Sequence, residues 1–333
     1  RYGEQLMRRR KVLQLLASAA VATPFSAAAD APAKMARIGT LSPTLPIDEK
    51  SPGGMILLKT LQQRGYALGK NLTFEARATN GQVAKLGEAA RDMKAEQIDA
   101  IVVIGFPTAL ACKVANVPTV VAFGCGDPVA THLIDSLARP GGVVTGISDD
   151  AAALSTKRLA LIKQAVPNVR RVAMLWNRDD LGMTMRYESS SAAAQSLGVA
   201  VQPLGVREPN DFNGVFEAMD SEKPDAILMV ADSLTGLNRK RVFDYANAHS
   251  IPAMYEYDFF VRDGGLMSYG ADIKESFERA ADLTARIFGG AKPGDLPFEE
   301  PTHYPLVVNL KVAKSTGISL PNDFLALADE VIE

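Results

Sequence analysis

The sequence predicts an α/β protein of two similar lobes, each a parallel sheet covered on both faces by helices. Three observations lead there. Short β-branched runs alternate with helical stretches of about 10–15 residues. Two runs, Ala100-Ile101-Val102-Val103-Ile104 and Ala226-Ile227-Leu228-Met229-Val230, are apolar throughout, as strands buried on both faces must be. The alternation restarts after residue 150, giving two series of similar length.

In the first series, residues 36–41 read as a strand, and Gly54 to Arg64 as a helix stopped by Gly65. Leu72 to Ala76 is a strand and Val83 to Glu96 a helix with apolar residues near helical spacing. After the apolar strand 100–104, a short helix from Pro107 to Val114 carries proline at its start. Thr119 to Phe123 is the next strand. In the second series, helices are predicted over 155–165, 184–197 (ended by Gly198), 211–219, 237–249 and 276–288. Asn210 is placed to cap the third of these. Strands are predicted over 171–176, 200–204, 226–230, 252–255, 265–269 and 306–309.

The first 31 residues stand apart. Arg8, Arg9, Arg10 and Lys11 precede an apolar run from Val12 to Phe25, and small residues close the stretch at Ala27-Ala28-Ala29 and Ala29-Asp30-Ala31. This is the order of a cleaved secretory signal peptide. The run is too short to span a bilayer, which takes about 20 apolar residues. Arg9-Arg10-Lys11-Val12-Leu13-Gln14 also resembles a twin-arginine export motif, with valine where phenylalanine is usual and glutamine where lysine is usual. No cysteine lies near the cleavage region, so a lipoprotein anchor has no attachment residue. A periplasmic location is expected.

The 333 residues are 47% hydrophobic and 22% charged, with net charge −2. No basic stripe marks a nucleic-acid partner. Cys112 and Cys125 are too few for a disulfide scaffold. Their pairing is left open by sequence; two small buried residues is the preferred reading.

Ligands of open parallel sheets bind beyond the carboxyl ends of the strands. The loops to inspect are therefore Ser42-Pro43-Thr44, Gly105-Phe106-Pro107-Thr108, Gly124-Cys125-Gly126-Asp127-Pro128, Trp176-Asn177-Arg178-Asp179, Ala231-Asp232-Ser233, Tyr255-Glu256-Tyr257 and Ser268-Tyr269-Gly270. Ser42 and Thr108 offer hydroxyls near helix N-termini, which favour a carboxylate. Asp127 and Asp232 offer carboxylates for an ammonium. Phe106, Trp176, Tyr255, Tyr257 and Tyr269 offer walls for an apolar or aromatic body. Each has a plainer reading: Asp127 as a turn cap before Pro128, Ser42 and Thr108 as helix caps, Trp176 as core. Catalytic signals are thin. His132, His249 and His303 lack metal spacing, and there is no nucleophile elbow, zincin motif, phosphate loop or dinucleotide fingerprint. No metal, cofactor or catalytic residue is expected.

Segments spread from residue 36 to the end resemble a known family. They include Ile38-Gly39-Thr40-Leu41-Ser42-Pro43, Gly126-Asp127-Pro128-Val129, Leu137-Ala138-Arg139-Pro140-Gly141-Gly142 with Val144-Thr145-Gly146, and Lys157-Arg158-Leu159. Val172-Ala173-Met174-Leu175-Trp176-Asn177, Gly264-Gly265-Leu266-Met267-Ser268-Tyr269-Gly270, Ala291-Lys292-Pro293-Gly294-Asp295-Leu296-Pro297 and Ala328-Asp329-Glu330-Val331-Ile332 continue the pattern. The chain resembles the ABC-transporter substrate-binding proteins of the tryptophan/tyrosine type, a branch of the type I periplasmic binding proteins.

The resemblance implies two Rossmann-like lobes joined by three chain crossings, near residues 146–150, 256–260 and 296–303. Lobe 1 would hold 36–147 plus 261–297, and lobe 2 148–258 plus 303–333. Family positions carried over are Ser42, Asp127, Asn177, Asp232 and Tyr269. The expected ligand set is Ser42, Pro43, Gly105, Phe106, Thr108, Asp127, Pro128, Ser148, Trp176, Asn177, Asp232, Tyr255, Tyr257, Ser268 and Tyr269. The stretch between Pro43 and Gly65 departs from the family pattern.

The function implied is capture of an amino-acid-like or small aromatic carboxylate ligand by hinge closure, for delivery to an inner-membrane permease and ATPase, by a monomer that is not an enzyme. A ligand sensor for a membrane receptor and an exported enzyme on the same fold are the alternatives.

Overall fold

The computed structural model describes residues 35–149 and 151–333. The leader at 1–31 and Asp150 lie outside the described residues.

The first half forms β1 (Ala36–Ser42), α1 (Pro52–Gln63), β2 (Leu72–Ala78), α2 (Leu86–Ala95), β3 (Ala100–Ile104), α3 (Phe106–Ala115), β4 (Thr119–Phe123) and β5 (Val144–Gly146). Local chemistry sets these boundaries. The Ser51 hydroxyl caps α1 by accepting from Gly54 N at 3.1 Å, and Pro52 opens the helix. Asn116 ends α3 in the left-handed conformation. The five strands run parallel in the order β2-β1-β3-β4-β5.

The second half forms α4 (Ala151–Ala165), β6 (Arg171–Asn177), α5 (Leu181–Ser196), β7 (Ala200–Val206), α6 (Asp211–Ser221) and β8 (Ala226–Met229). It continues with α7 (Ser233–Leu237), α8 (Arg239–Ala248), β9 (Ala253–Tyr255), α9 (Asp258–Arg262) and β10 (Met267–Tyr269). Then come α10 (Ile273–Phe288), β11 (Leu306–Asn309), α11 (Leu310–Thr316), α12 (Asn322–Leu325) and β12 (Glu330–Ile332). The seven-stranded sheet has the order β7-β6-β8-β9-β10-β11-β12. Pro203 falls in the edge strand β7, where a missing N–H costs no internal ladder bond.

The two sheets share one winding: β2-β1-β3-β4-β5 in lobe 1 and β7-β6-β8-β9-β10 in lobe 2. Each therefore has a switch point beside its first strand, where the strand order reverses and a crevice opens at the carboxyl ends.

Three expectations need correcting. The segment from Gly265 does not return directly to lobe 1. Met267–Tyr269 pairs with β9 and β11, and Leu266 and Met267 are buried in the lobe 2 core. The chain leaves lobe 2 after Tyr269, not near 256–260. From α10 to Phe298 the chain does join lobe 1: Phe277, Ala280, Ala281 and Leu283 share a core with Leu57 and Leu61 of α1 and Val120 of β4, and Leu296 and Phe298 pack into lobe 1 after them. Second, the lobe 2 sheet is mixed, because β11 runs antiparallel to β10. A chain coming back from lobe 1 enters the sheet at its carboxyl edge and must run the other way. Third, the helix expected over 237–249 runs from Arg239 to Ala248, and an unexpected short helix, Ser233–Leu237, precedes it; the Asn238 side-chain amide between them donates to Leu234 O.

The remaining crossings lie side by side. Ser148 N donates to Glu299 O at 2.7 Å and Glu299 N to Gly146 O at 2.8 Å, so outgoing and returning strands are hydrogen-bonded to each other at the hinge.

Candidate ligand-binding site

A cavity of about 220 Å³ lies between the carboxyl ends of the two sheets. Lobe 1 supplies Pro43, Thr44 and Leu45 after β1, Gly105 after β3, and Phe123 and Gly124 at the end of β4. Lobe 2 supplies Ala231, Asp232 and Ser233 after β8, Leu237 and Arg239 from α7 and α8, and Tyr257, Phe259 and Phe260 after β9. The Phe123 and Tyr257 rings meet edge to face at 5.2 Å across the lobe boundary, and Phe259 packs on Phe260 at 4.4 Å. Leu45 and Leu237 stand exposed at the rim.

Asp232 is the acid of this cavity. Its Oδ1 caps α7, accepting from Thr235 N at 2.8 Å, while Thr235 Oγ1 accepts from Asp232 N at 2.9 Å. Its Oδ2 accepts from the Asn177 side-chain amide at 2.5 Å. Burial pushes its carboxyl pKa up, against those hydrogen bonds. Among the described residues no basic side chain pairs with it. Arg239 is committed elsewhere, through Nε to Asp263 at 2.8 Å and Nη1 to Gly236 O. The cavity thus presents an aromatic wall and one carboxylate lacking a cationic partner.

Facing it, α3 begins at the cavity wall. Its N-cap Gly105 has no side chain to satisfy the first backbone N–H groups. One turn in, Thr108 is fully buried and its hydroxyl has no partner among the described residues. On lobe 1 the Ser42 and Thr44 hydroxyls bond to each other at 3.1 Å beside Pro43.

Behind Tyr257 lies a buried ion network. Glu256 accepts from Arg158 Nη1 at 2.7 Å, from Arg186 Nη1, and from Ala231 N at 2.9 Å. Asp149, on the first crossing, accepts from Arg186 Nη2 at 2.6 Å and from the Tyr257 hydroxyl at 2.9 Å. Arg158 Nε donates to Tyr269 O at 2.7 Å. Arg158, Arg186, Glu256 and Asp149 are all at most 2% exposed. Two cations and two anions leave the cluster neutral, the condition under which buried charge is tolerated. It joins the first crossing, the loop after β9 and the end of β10 to α4 and α5. Its Tyr257 is also a wall of the cavity, so the hinge and the site share a side chain. Burial, then the Asp149 charge, raise the Tyr257 hydroxyl pKa, keeping it a donor.

The family model described as ABC transporter substrate binding protein matches residues 48–332. The chain belongs to that family. A curated relative, a tyrosine-binding protein of Clostridioides difficile, is 24% identical over 287 residues, spanning 85% of this chain and 81% of the relative. Among solved structures, a conserved domain protein from Vibrio cholerae is 27% identical with a TM-score of 0.82, covering 90% of this chain and 100% of its own. An ABC domain from Streptococcus pneumoniae in complex with L-Trp is 26% identical with a TM-score of 0.77, covering 89% and 100%. These neighbours share the two-lobed type I periplasmic binding fold expected from the sequence.

In this substrate-binding protein, the cavity brings together four residues of the sequence-derived set: Pro43, Gly105, Asp232 and Tyr257. Ser42 and Asn177 stand one bond behind them, through Thr44 and Asp232. Ser148 is buried in the first crossing. The others lie elsewhere. Asp127 is exposed and caps its own turn, accepting from Val129 N and Ala130 N at 2.9 Å, with Pro128 buried behind it. Phe106 packs in the lobe 1 core. Trp176 stacks on Tyr187 at 3.7 Å inside lobe 2, and Tyr255 packs edge to face on Phe243. Ser268 is buried, and Tyr269 packs against the lobe 2 core. Side chains in β9 and β10 point above or below the sheet, whereas the cavity sits beyond its edge.

Sequence reading missed Thr44, Leu45, Phe123, Phe259 and Phe260 as lining, and the whole ion network. Phe259 and Phe260 had a signal: they follow a strand by a few residues, as the other lining residues do. Cys112 and Cys125 are buried and unpaired, and burial pushes the Cys112 thiol pKa up to about 12. Among the described residues no helix is long and apolar enough to cross a membrane, and no three of His, Cys, Asp and Glu gather as a metal site requires.

Proposed function

We propose that this chain is the periplasmic receptor of an ABC importer, capturing an aromatic amino acid or close analogue and presenting it to a permease and ATPase. The observation that carries the reading is the pairing of Asp232 on lobe 2 with the open first turn of α3 on lobe 1, across an aromatic-walled cavity. The ligand ammonium goes to Asp232. Its carboxylate goes to the α3 N-terminus, where unpaired N–H groups favour an anion. Its ring lies among Phe123, Tyr257 and Phe259. A zwitterion held this way bridges the lobes and so stabilises their closure. The relatives described as binding tyrosine and L-Trp support this ligand class. The protein acts as a monomer, without cofactor, and returns its ligand unchanged.

Calorimetric titration and thermal melts with L-tyrosine, L-tryptophan, L-leucine and 4-hydroxybenzoate test this. An aromatic amino acid at one hundred times its Kd is expected to add about 2.7 kcal/mol of stability. L-Leucine leaves the aromatic wall uncovered and 4-hydroxybenzoate leaves Asp232 unpaired, so both bind more weakly. If neither aromatic amino acid shifts the melting point at millimolar concentration, the ligand class is wrong. Chemical conversion of the ligand on prolonged incubation would overturn the receptor reading itself.

A further inference from the structure

We propose that closing the cleft is proton-linked through Asp180: the seam between lobe 1 and the start of α5 buries this carboxyl near Asp232, so the closed form takes up a proton. The inference deepens the receptor reading and rests on its two-lobed closure.

The seam is a backbone-to-backbone contact. Gly126 of lobe 1, at φ +69°, faces Gly182 of α5 so closely that a Cβ on Gly126 would lie 3.2 Å from Gly182 Cα. A Cβ on Gly182 would lie 3.0 Å from Cys125 O and 3.5 Å from Phe106 Cβ. Asp180, the N-cap of α5, sits at this contact and is 4% exposed. Lobe 1 packs beside it: the same Cβ on Gly182 would lie 3.3 Å from Asp180 Oδ1, and Phe106, Pro107 and Leu110 of α3 line one groove with Asp180 and Leu181. When the lobes part, that packing goes and the carboxyl returns to water.

Asp180 has no cationic partner within ion-pair distance among the described residues; its Oδ1 accepts from Met183 N at 3.2 Å. Asn177 ties it to the ligand acid: its side-chain amide donates to Asp232 while its backbone oxygen accepts from Asp180 N. The charged groups around Asp180 are few. From its own loop come Arg178 and Asp179, both exposed, the latter paired with Arg207 at 3.1 Å. From α5 comes Arg186, bound to Asp149 and Glu256. From the β8 loop comes Asp232. From lobe 1 come exposed Asp127 and Arg91, and the Cys125 thiol, which burial keeps protonated. Burial, then the Asp232 charge, raise the Asp180 carboxyl to about 7.

The sign follows from linkage. A group raised in the closed form favours closing most when both forms are protonated, and that advantage is lost as pH climbs from the ordinary carboxylate range to about 7. Burial is the larger cause, so neutralising Asp232 with a ligand ammonium leaves the sign unchanged.

The test has two arms. Small-angle scattering of the ligand-free protein at pH 5.5 and 8.0 reads closure without any ligand. Calorimetric binding of L-tyrosine at pH 7, in two buffers of different ionisation enthalpy, reads protons taken up. The wild type is expected to be more compact at pH 5.5 and to take up protons on binding at pH 7, at most about half a proton because the ligand ammonium offsets the Asp232 charge. Asp180→Asn preserves the helix cap and is expected to remove both the scattering step and the uptake. A wild type whose scattering is the same at both pH values, or an Asn variant that keeps the step, overturns the proposal. If L-tyrosine fails to bind while the scattering step is present and Asp180-dependent, the ligand reading fails and the proton link stands.

Discussion

Arg186→Met is expected to lower folding stability by about 3–5 kcal/mol, the cost of leaving buried charge uncompensated. Among the described residues Arg186 alone pairs with both acids of the hinge network, Asp149 and Glu256. Methionine matches the length of its aliphatic stem and supplies no donor. Glu256 would keep Arg158 and Ala231 N, but among the described residues Asp149 would keep only the Tyr257 hydroxyl. One Asp149 oxygen is already without a partner among the described residues. The contrast is Arg64, whose pair with Asp282 is equally short at 2.6 Å but about half exposed. Arg64→Met should cost far less, because water screens the pair and solvates whichever partner remains. Urea or thermal denaturation of the two variants side by side checks this. Equal, small losses would mean that water reaches the hinge network and that its burial is not felt.

The second large effect falls on affinity. Asp232→Asn is expected to weaken binding of L-tyrosine or L-tryptophan by at least about 30-fold, corresponding to about 2 kcal/mol for losing one partner of a desolvated charge pair. Asparagine still caps α7, so the fold should tolerate the change. The discriminating measurement uses 3-(4-hydroxyphenyl)propionate, which is L-tyrosine without its amine. Removing the amine should cost the wild type most of that factor and the Asn variant almost nothing. If the variant discriminates between the two ligands as well as the wild type does, the ammonium is not at Asp232.

Much of this architecture is written locally in the chain. Doubly apolar runs such as 100–104 mark central strands, and inspection of the loops beyond strand ends picks out Pro43, Gly105, Asp232 and Tyr257, which line one cavity. The loop rule is necessary but not sufficient, since Asp127 obeys it and caps its own turn instead. What stayed illegible depends on distant partners. Arg158, Arg186 and Glu256 look like ordinary surface charges in sequence, because their pairing runs over 98 and 70 residues. Nothing local distinguishes such an arginine from a solvated one. The β10 placement failed for a related reason: strand 267–269 is three residues long, and its sheet is chosen by its neighbours.

The late excursion of α10 has a consequence for how the protein is made. Its residues Phe277, Ala280, Ala281 and Leu283 cover Leu57, Leu61 and Val120, yet they emerge from the ribosome more than 150 residues after β4. Lobe 2 in turn waits for β11 and β12, later still in the chain. Neither half can finish burying its apolar surface until residues 273–332 have been added. A growing chain of this design exposes sticky surface throughout its synthesis and is a natural client for holdase chaperones. Truncation just before Ile273 should yield aggregates, not an isolated first lobe.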